Sequence, residues 1–101
     1  MGAADSLAGK TALVTGGSRR LGAAICRELA ARGAAVAVHY RRSEAEAIAM
    51  NRVLKHGVFS LRGDLANPQE REWIFREAAE WLGRVDILVN NAALFARDGE
   101  I

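Results

Sequence analysis

The sequence has little cysteine, little proline and no long hydrophobic run. Its one cysteine, Cys26, cannot form an internal disulfide, so the fold needs neither a disulfide framework nor an oxidising compartment. Its one proline excludes a collagen-like or proline-rich chain. No apolar run approaches the roughly 18 residues of a membrane span. With 50% hydrophobic and 26% charged residues among 101, the composition predicts one small globular domain.

The first residues also lack the apolar core of a signal peptide. Gly2 and Ser6 match the short pattern for N-myristoylation, but no polybasic stretch accompanies them. We therefore interpret residues 1–8 as a solvated leader and residues 9–101 as the folded domain.

The net charge is only +2, but it is unevenly distributed. Residues 1–62 contain ten Lys or Arg and four Asp or Glu, a balance of +6. Residues 63–101 contain four and eight of these, a balance of −4. A basic half indicates an anionic ligand, which could be a nucleic acid or a smaller polyanion.

Apolar runs alternate with segments of helical periodicity. Strands are predicted at 11–15, 35–40, 58–62 and 85–90, and helices at 20–31, 44–54 and 68–82. The runs are nearly continuous, as in parallel strands buried on both faces. The order β-α-β-α-β-α-β predicts an α/β fold with a Rossmann-type, doubly wound parallel sheet. That sheet would be incomplete, with one face covered by a single helix and the fourth strand as an apolar edge.

Local signals support the helices. Ser43 and Glu46 form a capping box, and Asn67 and Pro68 fit the cap and first position of the third helix. The apolar positions predict inner faces made of Leu21, Ala24, Ile25, Leu29 and Ala30 in the first helix, Ala47, Met50 and Leu54 in the second, and Ile74, Ala78, Trp81 and Leu82 in the third. Both tryptophans are interpreted as helix packing residues.

A glycine-rich loop joins the first strand to the first helix. Gly16 and Gly22 bound the sequence GGSRRLG. Backbone N–H groups and the positive end of a helix dipole make such a turn an anion site, where Gly16 permits the tight turn and Gly22 close packing. The loop is neither a P-loop nor a strict G-x-G-x-x-G motif.

The sequence TGGSRRLG resembles the cofactor loop of the short-chain dehydrogenase/reductase family, Thr-Gly-x-x-x-Gly-x-Gly. Arg20 stands where most members have the middle glycine, and pteridine reductases share this arginine. The resemblance implies that Arg20 contacts both the cofactor pyrophosphate and the substrate, as the fork of a guanidinium permits. It also assigns the loop residues Gly16, Ser18, Arg19, Arg20 and Leu21 to cofactor binding.

The second loop bears on the choice of nicotinamide cofactor. A fold that prefers NAD usually carries an acid at the tip of the second strand, bonded to the ribose 2′-OH. Here the tip has Arg41, Arg42 and Ser43, and the first acid, Glu44, lies inside the next helix. Arginines and a serine suit a 2′-phosphate, so the sequence predicts NADP(H). His39 and Tyr40 complete a motif that resembles the pteridine reductases, and nucleic acid is not required to explain the basic half.

The third and fourth loops match the family as well. The resemblance implies that Asp64 accepts from the adenine amino group and that Leu65 packs nearby. At the fourth strand, Asn91 would steady the sheet. Ala92 and Ala93 would let the cofactor ribose approach, although Ala93 replaces the usual glycine, or the serine of pteridine reductases. Phe95 matches the phenylalanine that stacks on the pterin ring, because a flat aromatic face suits a flat heterocycle.

No metal site and no catalytic residue are assigned in this chain. His39 and His56 lie on different elements and lack partners at metal-ligand spacing. Hydride transfer needs a proton donor, which in this family is a Tyr-x-x-x-Lys pair. The only tyrosine is Tyr40, four residues before Glu44, and the lysines are Lys10 and Lys55.

The sequence therefore predicts the NADP(H)-binding, N-terminal half of an NADPH-dependent reductase that transfers hydride to a pterin C=N or a carbonyl. Its partners would be the C-terminal half of the same enzyme, a small-molecule substrate and further copies of itself, with no nucleic acid and no membrane. We expect a cytoplasmic protein. Two alternatives stay open, a ketone or 3-oxoacyl reductase and a non-catalytic NADP(H)-binding fragment.

Overall fold

The computed structural model describes residues 6–17, 20–42, 44–53 and 58–91. The elements are β1 (Thr11–Val14), α1 (Arg20–Ala31), β2 (Ala35–Tyr40), α2 (Glu44–Val53), β3 (Val58–Arg62), α3 (Pro68–Leu82) and β4 (Ile87–Val89). The predicted order of strands and helices is confirmed.

The strands form one parallel sheet in the order β3-β2-β1-β4. The first two crossovers step in one direction across the sheet, and the third returns past β1 to its other side. The direction thus changes between β1 and β4, which is the topological switch point where ligands of such folds bind. The predicted incomplete Rossmann-type α/β fold is confirmed.

The two faces of the sheet carry separate cores. On one face, α1 and α2 pack over Val14, Val36 and Val38. On the other face, α3 is the one helix of the described residues that packs over Leu13, Ala37 and Leu61, through Ile74 and Ala78. Right-handed crossovers on opposite sides of the switch point require this distribution. The edge strand β4 is only half covered, with Leu88 51% exposed, in contrast to the fully buried β1.

The face that α1 buries differs from the predicted one. Gly22, Ala23, Cys26 and Ala30 are buried, whereas Leu21 and Ala24 are exposed, and Ile25 and Leu29 lie at the margin. Small side chains face the sheet because the helix starts directly at the glycine loop and its backbone lies close to the end of β1. The predicted inner face is therefore confirmed at Ala30, met at its margin by Ile25 and Leu29, and wrong at Leu21 and Ala24.

The tryptophans of α3 were predicted to be helix packing residues, and the structure confirms this for Trp81 although both are partly exposed. Trp73 is 40% and Trp81 43% exposed. Trp81 nevertheless packs, because its ring stacks on Phe59 of β3 with centroids 4.6 Å apart and planes 10° apart. Through this stack α3 covers Phe59 on the outer strand of the sheet.

Hydrogen bonds define several element ends. The Asn67 side chain accepts from the N–H groups of Gln69 and Glu70, which confirms the predicted cap of α3. At the start of β4, the Asp86 carboxylate accepts from the Thr11 N–H at 2.9 Å. Leu7, placed in the leader by the sequence, donates its N–H to Arg32 O at 2.8 Å and packs against the core of α1. The folded part therefore includes Leu7.

Among the described residues, no helix combines the length and hydrophobicity that crossing a lipid bilayer requires.

The close approach of α1 to the glycine loop predicts an unusual effect of Gly22→Ala. In an ordinary helix this change stabilises by about 1 kcal/mol. Here a Cβ would clash with Gly16 O and lie 2.8 Å from Asn91 Nδ2. We expect the free energy of unfolding to fall by about 1–3 kcal/mol in urea denaturation, because backbone must move.

The matched control is Ala24→Gly on the exposed side of the same helix, which removes helix propensity alone and should cost about 1 kcal/mol. A gain in stability for Gly22→Ala would refute the close packing.

Candidate functional site

The carboxyl ends of the four strands meet at one edge, and the loop after β1 lies at its centre. Gly16 has φ +61°, which favours glycine. Gly17 is buried, and its N–H donates to His39 O at 2.9 Å. The first turn of α1 contains no acidic residue, so the positive end of its dipole is not neutralised locally. The helix end fits the predicted anion cradle, whereas the Gly17 N–H is already engaged by His39 O.

Arg20 begins α1 with φ +50°, and it is the one non-glycine residue in the described part of the chain with positive φ. A side chain in this region costs about 1–2 kcal/mol. Arg20 itself is exposed at the start of the helix. Backbone strain of this kind is typical of functional positions, so it favours a functional role for the Arg20 guanidinium.

Side chains continue the hydrogen bonding of the sheet beyond the strand ends. Asn91 Nδ2 donates to Gly16 O at 2.9 Å, and Gly16 N–H donates to His39 Nδ1 at 3.0 Å. On its other side, the His39 ring hydrogen-bonds through Nε2 to Gly63 O at 2.8 Å. We call Asn91, Gly16, His39 and Gly63 the strand-end network. It joins the ends of β4, β1, β2 and β3 in spatial order.

His39 is therefore a buried residue of the network, with 2% of its surface exposed. Burial lowers the pKa of the imidazole, and this effect exceeds those of the Gly63 carbonyl and the Asp64 carboxylate, which favour the protonated form. The bond from the Gly16 N–H requires a lone pair on Nδ1, so the proton of the neutral ring lies on Nε2. In this arrangement both ring nitrogens already have backbone partners.

Asn91 is also buried, at 3% exposure. Its amide nitrogen is bonded to Gly16 O, which agrees with the expected steadying role at the sheet. Its Oδ1 has no hydrogen-bond partner among the residues that the structure describes. Beside it, Thr15 N–H donates to Val89 O at 3.0 Å and extends the β1–β4 pairing into the loop.

An open cleft of about 370 Å³ lies at the ends of β2 and β3. Its lining consists of Arg41, Arg42, Arg62, Gly63, Asp64 and Glu70. Three guanidinium groups thus face two carboxylates, and no carboxylate comes from the tip of β2. The sequence analysis missed Arg62, which ends β3 and lies in register with Tyr40 at the end of β2. No local sequence pattern signalled this, because the tertiary structure sets the register of the two strands.

The two carboxylates of the cleft are held by local contacts. Asp64 Oδ2 lies 3.6 Å from the Arg41 guanidinium, and Asp64 Oδ1 accepts from the Ala66 N–H at 2.9 Å. Glu70 Oε1 accepts from the Asp64 N–H at 2.8 Å, so the first turn of α3 is bonded to the loop after β3. Asp64 is a turn residue, and its half-exposed side chain also faces the cleft.

The structure brings most of the predicted binding residues to this edge. They are Gly16, Arg20, Leu21, His39, Tyr40, Arg41, Arg42, Asp64, Leu65 and Asn91. Leu65 packs partly against the α3 core, and Leu21 is exposed beside the loop. The remaining predicted residues lie outside the described part of the chain, namely Ser18, Arg19, Ser43, Ala92, Ala93 and Phe95.

Neither a metal site nor a reactive thiol emerges from the described residues. Within residues 6–17, 20–42, 44–53 and 58–91, no three His, Cys, Asp or Glu side chains are grouped to hold a metal ion. Cys26 is buried, and its thiol donates to Gly17 O at 3.6 Å. Burial raises the pKa of the Cys26 thiol to about 12, so it stays protonated and supports the loop.

Known proteins resemble this chain in both sequence and structure. The chain is 37% identical over 91 residues to hydroxynaphthalene reductase arp2 of Aspergillus fumigatus, covering 87% of this chain and 33% of that protein. A dehydrogenase/reductase from Sinorhizobium meliloti superposes with a TM-score of 0.81 at 44% identity, covering 86% of this chain and 36% of the other. FolM alternative dihydrofolate reductase 1 from Brucella canis, complexed with NADP, superposes with a TM-score of 0.79 at 35% identity, over 88% and 37%.

The chain thus spans about a third of the length of the proteins it matches. The sequence profile described as short chain dehydrogenase matches residues 10–101, which include every strand and helix of the fold. Oxidoreductases that bind NAD(P) make up this family. On the evidence of its sequence and its fold, the chain belongs to the short chain dehydrogenase family.

Proposed function

We propose that this chain is the NADP(H)-binding part of an NADPH-dependent short-chain reductase. The observation that carries the proposal is the cleft at the ends of β2 and β3, with Arg41, Arg42 and Arg62 in its lining. Planar guanidinium groups pair with phosphate oxygens, whereas NAD selectivity usually depends on an acid at the tip of β2. The Brucella canis relative complexed with NADP supports the same cofactor.

The residues on the described edge fit a dinucleotide in two independent places. The packing of Gly22 against Gly16 brings the start of α1 close to the end of β1, where a larger residue would not fit. The unneutralised helix end and Arg20 suit a pyrophosphate. The arginine-lined cleft suits a 2′-phosphate, and Asp64 offers an acceptor for the adenine amino group.

Each part of this edge then has a role toward the cofactor. Arg42 and Arg62 would hold the 2′-phosphate, and Arg20 with the N–H groups at the start of α1 would hold the pyrophosphate. The nicotinamide, when bound, supplies the hydride. What this chain contributes is binding and orientation, and the proton donor would come from the remaining two thirds of the protein. The self-assembly of the complete enzyme and its cytoplasmic location belong to the same proposal.

For the substrate we propose a pterin. The supporting observation is Arg20, which keeps a positive φ at a position where a glycine would be unstrained. A related protein with the description alternative dihydrofolate reductase shares 35% of the aligned sequence. A ketone reductase is the second candidate, supported by the similarity to hydroxynaphthalene reductase. The expected roles of Ala93 beside the ribose and of Phe95 against the pterin ring belong to this proposal, because both residues lie outside the described part of the chain.

Turnover by the complete protein separates the two substrate classes. With NADPH as reductant, the pterin reading predicts that dihydropterins are reduced with a higher kcat/KM than 3-oxoacyl thioesters and aryl ketones. A preference for the ketones would replace the first candidate by the second. Binding of NADPH without turnover of any member of the panel would favour a non-catalytic binding module.

The cofactor proposal predicts selectivity that depends on Arg42. The wild-type protein should bind NADPH at least about tenfold more tightly than NADH, measured by fluorescence titration. Arg42→Asp should weaken NADPH binding by about 10- to 100-fold and leave NADH binding nearly unchanged, because it reverses a charge beside the 2′-phosphate. Arg76→Asp, on the exposed face of α3, makes the same charge change away from the cleft and should alter neither affinity. Equal affinities of the wild type for NADPH and NADH would disprove the assignment.

The strained position of Arg20 predicts opposite effects on stability and binding. Arg20→Gly should raise the free energy of unfolding by about 1 kcal/mol, because glycine accepts the positive φ. The same variant should bind NADPH several-fold more weakly if the guanidinium holds the pyrophosphate. Arg27→Gly, within α1, is the control and should destabilise by about 1 kcal/mol without affecting NADPH. Unchanged NADPH affinity in Arg20→Gly would show that the Arg20 guanidinium does not bind the pyrophosphate.

A further inference from the structure

His39 makes hydrogen bonds to two loops that are not neighbours in the sheet. Gly16 follows β1 and Gly63 follows β3, and β2, which carries His39, lies between these strands. We propose that the neutral His39 ring is a positioning residue, which fixes the spacing between the loop after β1 and the loop after β3 for a ligand that spans both. This proposal rests on the proposed NADP(H) function and gives His39 a role other than direct contact with the cofactor.

The geometry of the ring allows one protonation state. The Gly16 N–H is a donor, so Nδ1 must accept, and the Gly63 carbonyl is an acceptor, so Nε2 must donate. A second proton on the ring would place an N–H at Nδ1, directed at the Gly16 N–H at a heavy-atom distance of 3.0 Å. Two donors cannot share that contact, so protonation of His39 releases Gly16 from the network.

The positions that the His39 ring contacts, Gly16 and Gly63, lie outside the regular hydrogen-bond ladder of the sheet. β1 ends at Val14 and β3 at Arg62, so Gly16 and Gly63 both lie beyond the strand pairing. Backbone bonds still pair Gly17 N–H with His39 O and Gly63 N–H with Tyr40 O. The side chain adds what these bonds omit, because it satisfies the Gly16 N–H and the Gly63 carbonyl, both at the cofactor edge.

A dinucleotide would need both loops at once. Its pyrophosphate would occupy the cradle that starts at Gly16, and its adenosine 2′-phosphate would occupy the cleft that includes Gly63. A shift of Gly16 relative to Gly63 therefore penalises a ligand that spans both places. A ligand that fills only the cleft would be almost unaffected. This difference separates positioning from a general loss of structure.

Charged groups on the neighbouring elements influence the ring. The Asp64 carboxylate, next to Gly63, favours the imidazolium, but Asp64 is also paired with Arg41 at 3.6 Å. Glu70 of α3 binds the Asp64 N–H, and Arg42 and Arg62 line the same cleft with positive charge. On the Nδ1 side of the ring, His39 contacts Gly16, and Gly16 in turn contacts the Asn91 amide, which carries no charge. Burial outweighs the attraction of Asp64, which lowers the pKa of His39 below its usual 6.5.

Two substitutions remove one contact each and do not titrate. The amide of Asn can replace Nδ1 of the ring, so His39→Asn keeps an acceptor for Gly16 and loses the bond to Gly63. The amide of Gln can replace Nε2, so His39→Gln keeps the donor to Gly63 and loses the bond to Gly16. The matched control is His56→Gln, which removes the other histidine of the chain.

The experiment compares NADPH with adenosine 2′-monophosphate in titrations of the wild-type protein and these three variants. At about pH 8 we expect both His39 variants to bind NADPH about 5- to 20-fold more weakly, with adenosine 2′-monophosphate within about twofold of the wild type. His56→Gln should match the wild type for both ligands. Equal losses for both ligands would show a merely structural role and overturn the proposal, as would unchanged NADPH affinity.

The ratio of the two affinities at lower pH gives a second readout that does not depend on the variants folding. Both ligands carry the same 2′-phosphate, so its titration cancels in the ratio. As the pH falls from about 8 through the pKa of His39, which burial lowers below 6.5, the wild type and His56→Gln should lose NADPH affinity relative to adenosine 2′-monophosphate. The His39 variants should keep a constant ratio. A ratio in the wild type that stays constant through the pH at which the His39 ring gains its second proton, followed by NMR of the ring, would contradict the requirement for a neutral ring.

Failure of the proposed function would be distinguishable from failure of this inference. If the wild type binds neither NADPH nor adenosine 2′-monophosphate, the NADP(H) site itself is wrong and the positioning role falls with it. If the wild type binds both ligands and the His39 variants match it, the site stands and only the role of His39 is refuted.

Discussion

The backbone groups just beyond the ends of parallel strands have lost their ladder partners and need other ones. The strand-end network meets this constraint with two side chains, Asn91 and His39, which bond Gly16 from opposite sides. A bond from His39 to Gly63 extends the network to the outer strand β3. Unpaired buried backbone groups cost free energy, so the network defines where each loop at the functional edge can lie. The cradle and the cleft both depend on this placement.

Close packing at the same edge explains the composition of α1. The helix presents Gly22, Ala23, Cys26 and Ala30 to the sheet, because larger side chains would hold its first turn away from Gly16. Cys26 fits this environment as a small protonated residue whose thiol contacts Gly17 O. The positive end of the helix is therefore brought near the strand ends. An anion site here follows from packing as much as from charge.

Arginines dominate the cleft at the ends of β2 and β3. Arginines from the ends of β2 and β3 line one cleft, and the carboxylates among them are engaged by local bonds of the loop and of α3. The uneven distribution of charge along the chain thus has a local counterpart in the fold. The proposed 2′-phosphate would lie among these arginines.

The sequence by itself determined the order of strands and helices, the cap of α3, and the loops that form the functional edge. Periodicity, glycine positions and capping residues are local signals, and the parallel sheet follows from alternation. Only the tertiary structure decided the rest. The buried face of α1 depends on how closely its first turn approaches Gly16. The packing of Trp81 depends on the Phe59 ring of β3, on which it stacks. The buried role of His39 and the place of Arg62 in the cleft depend on strands distant in sequence. Contacts between distant segments leave no periodic trace, so no local pattern could reveal them.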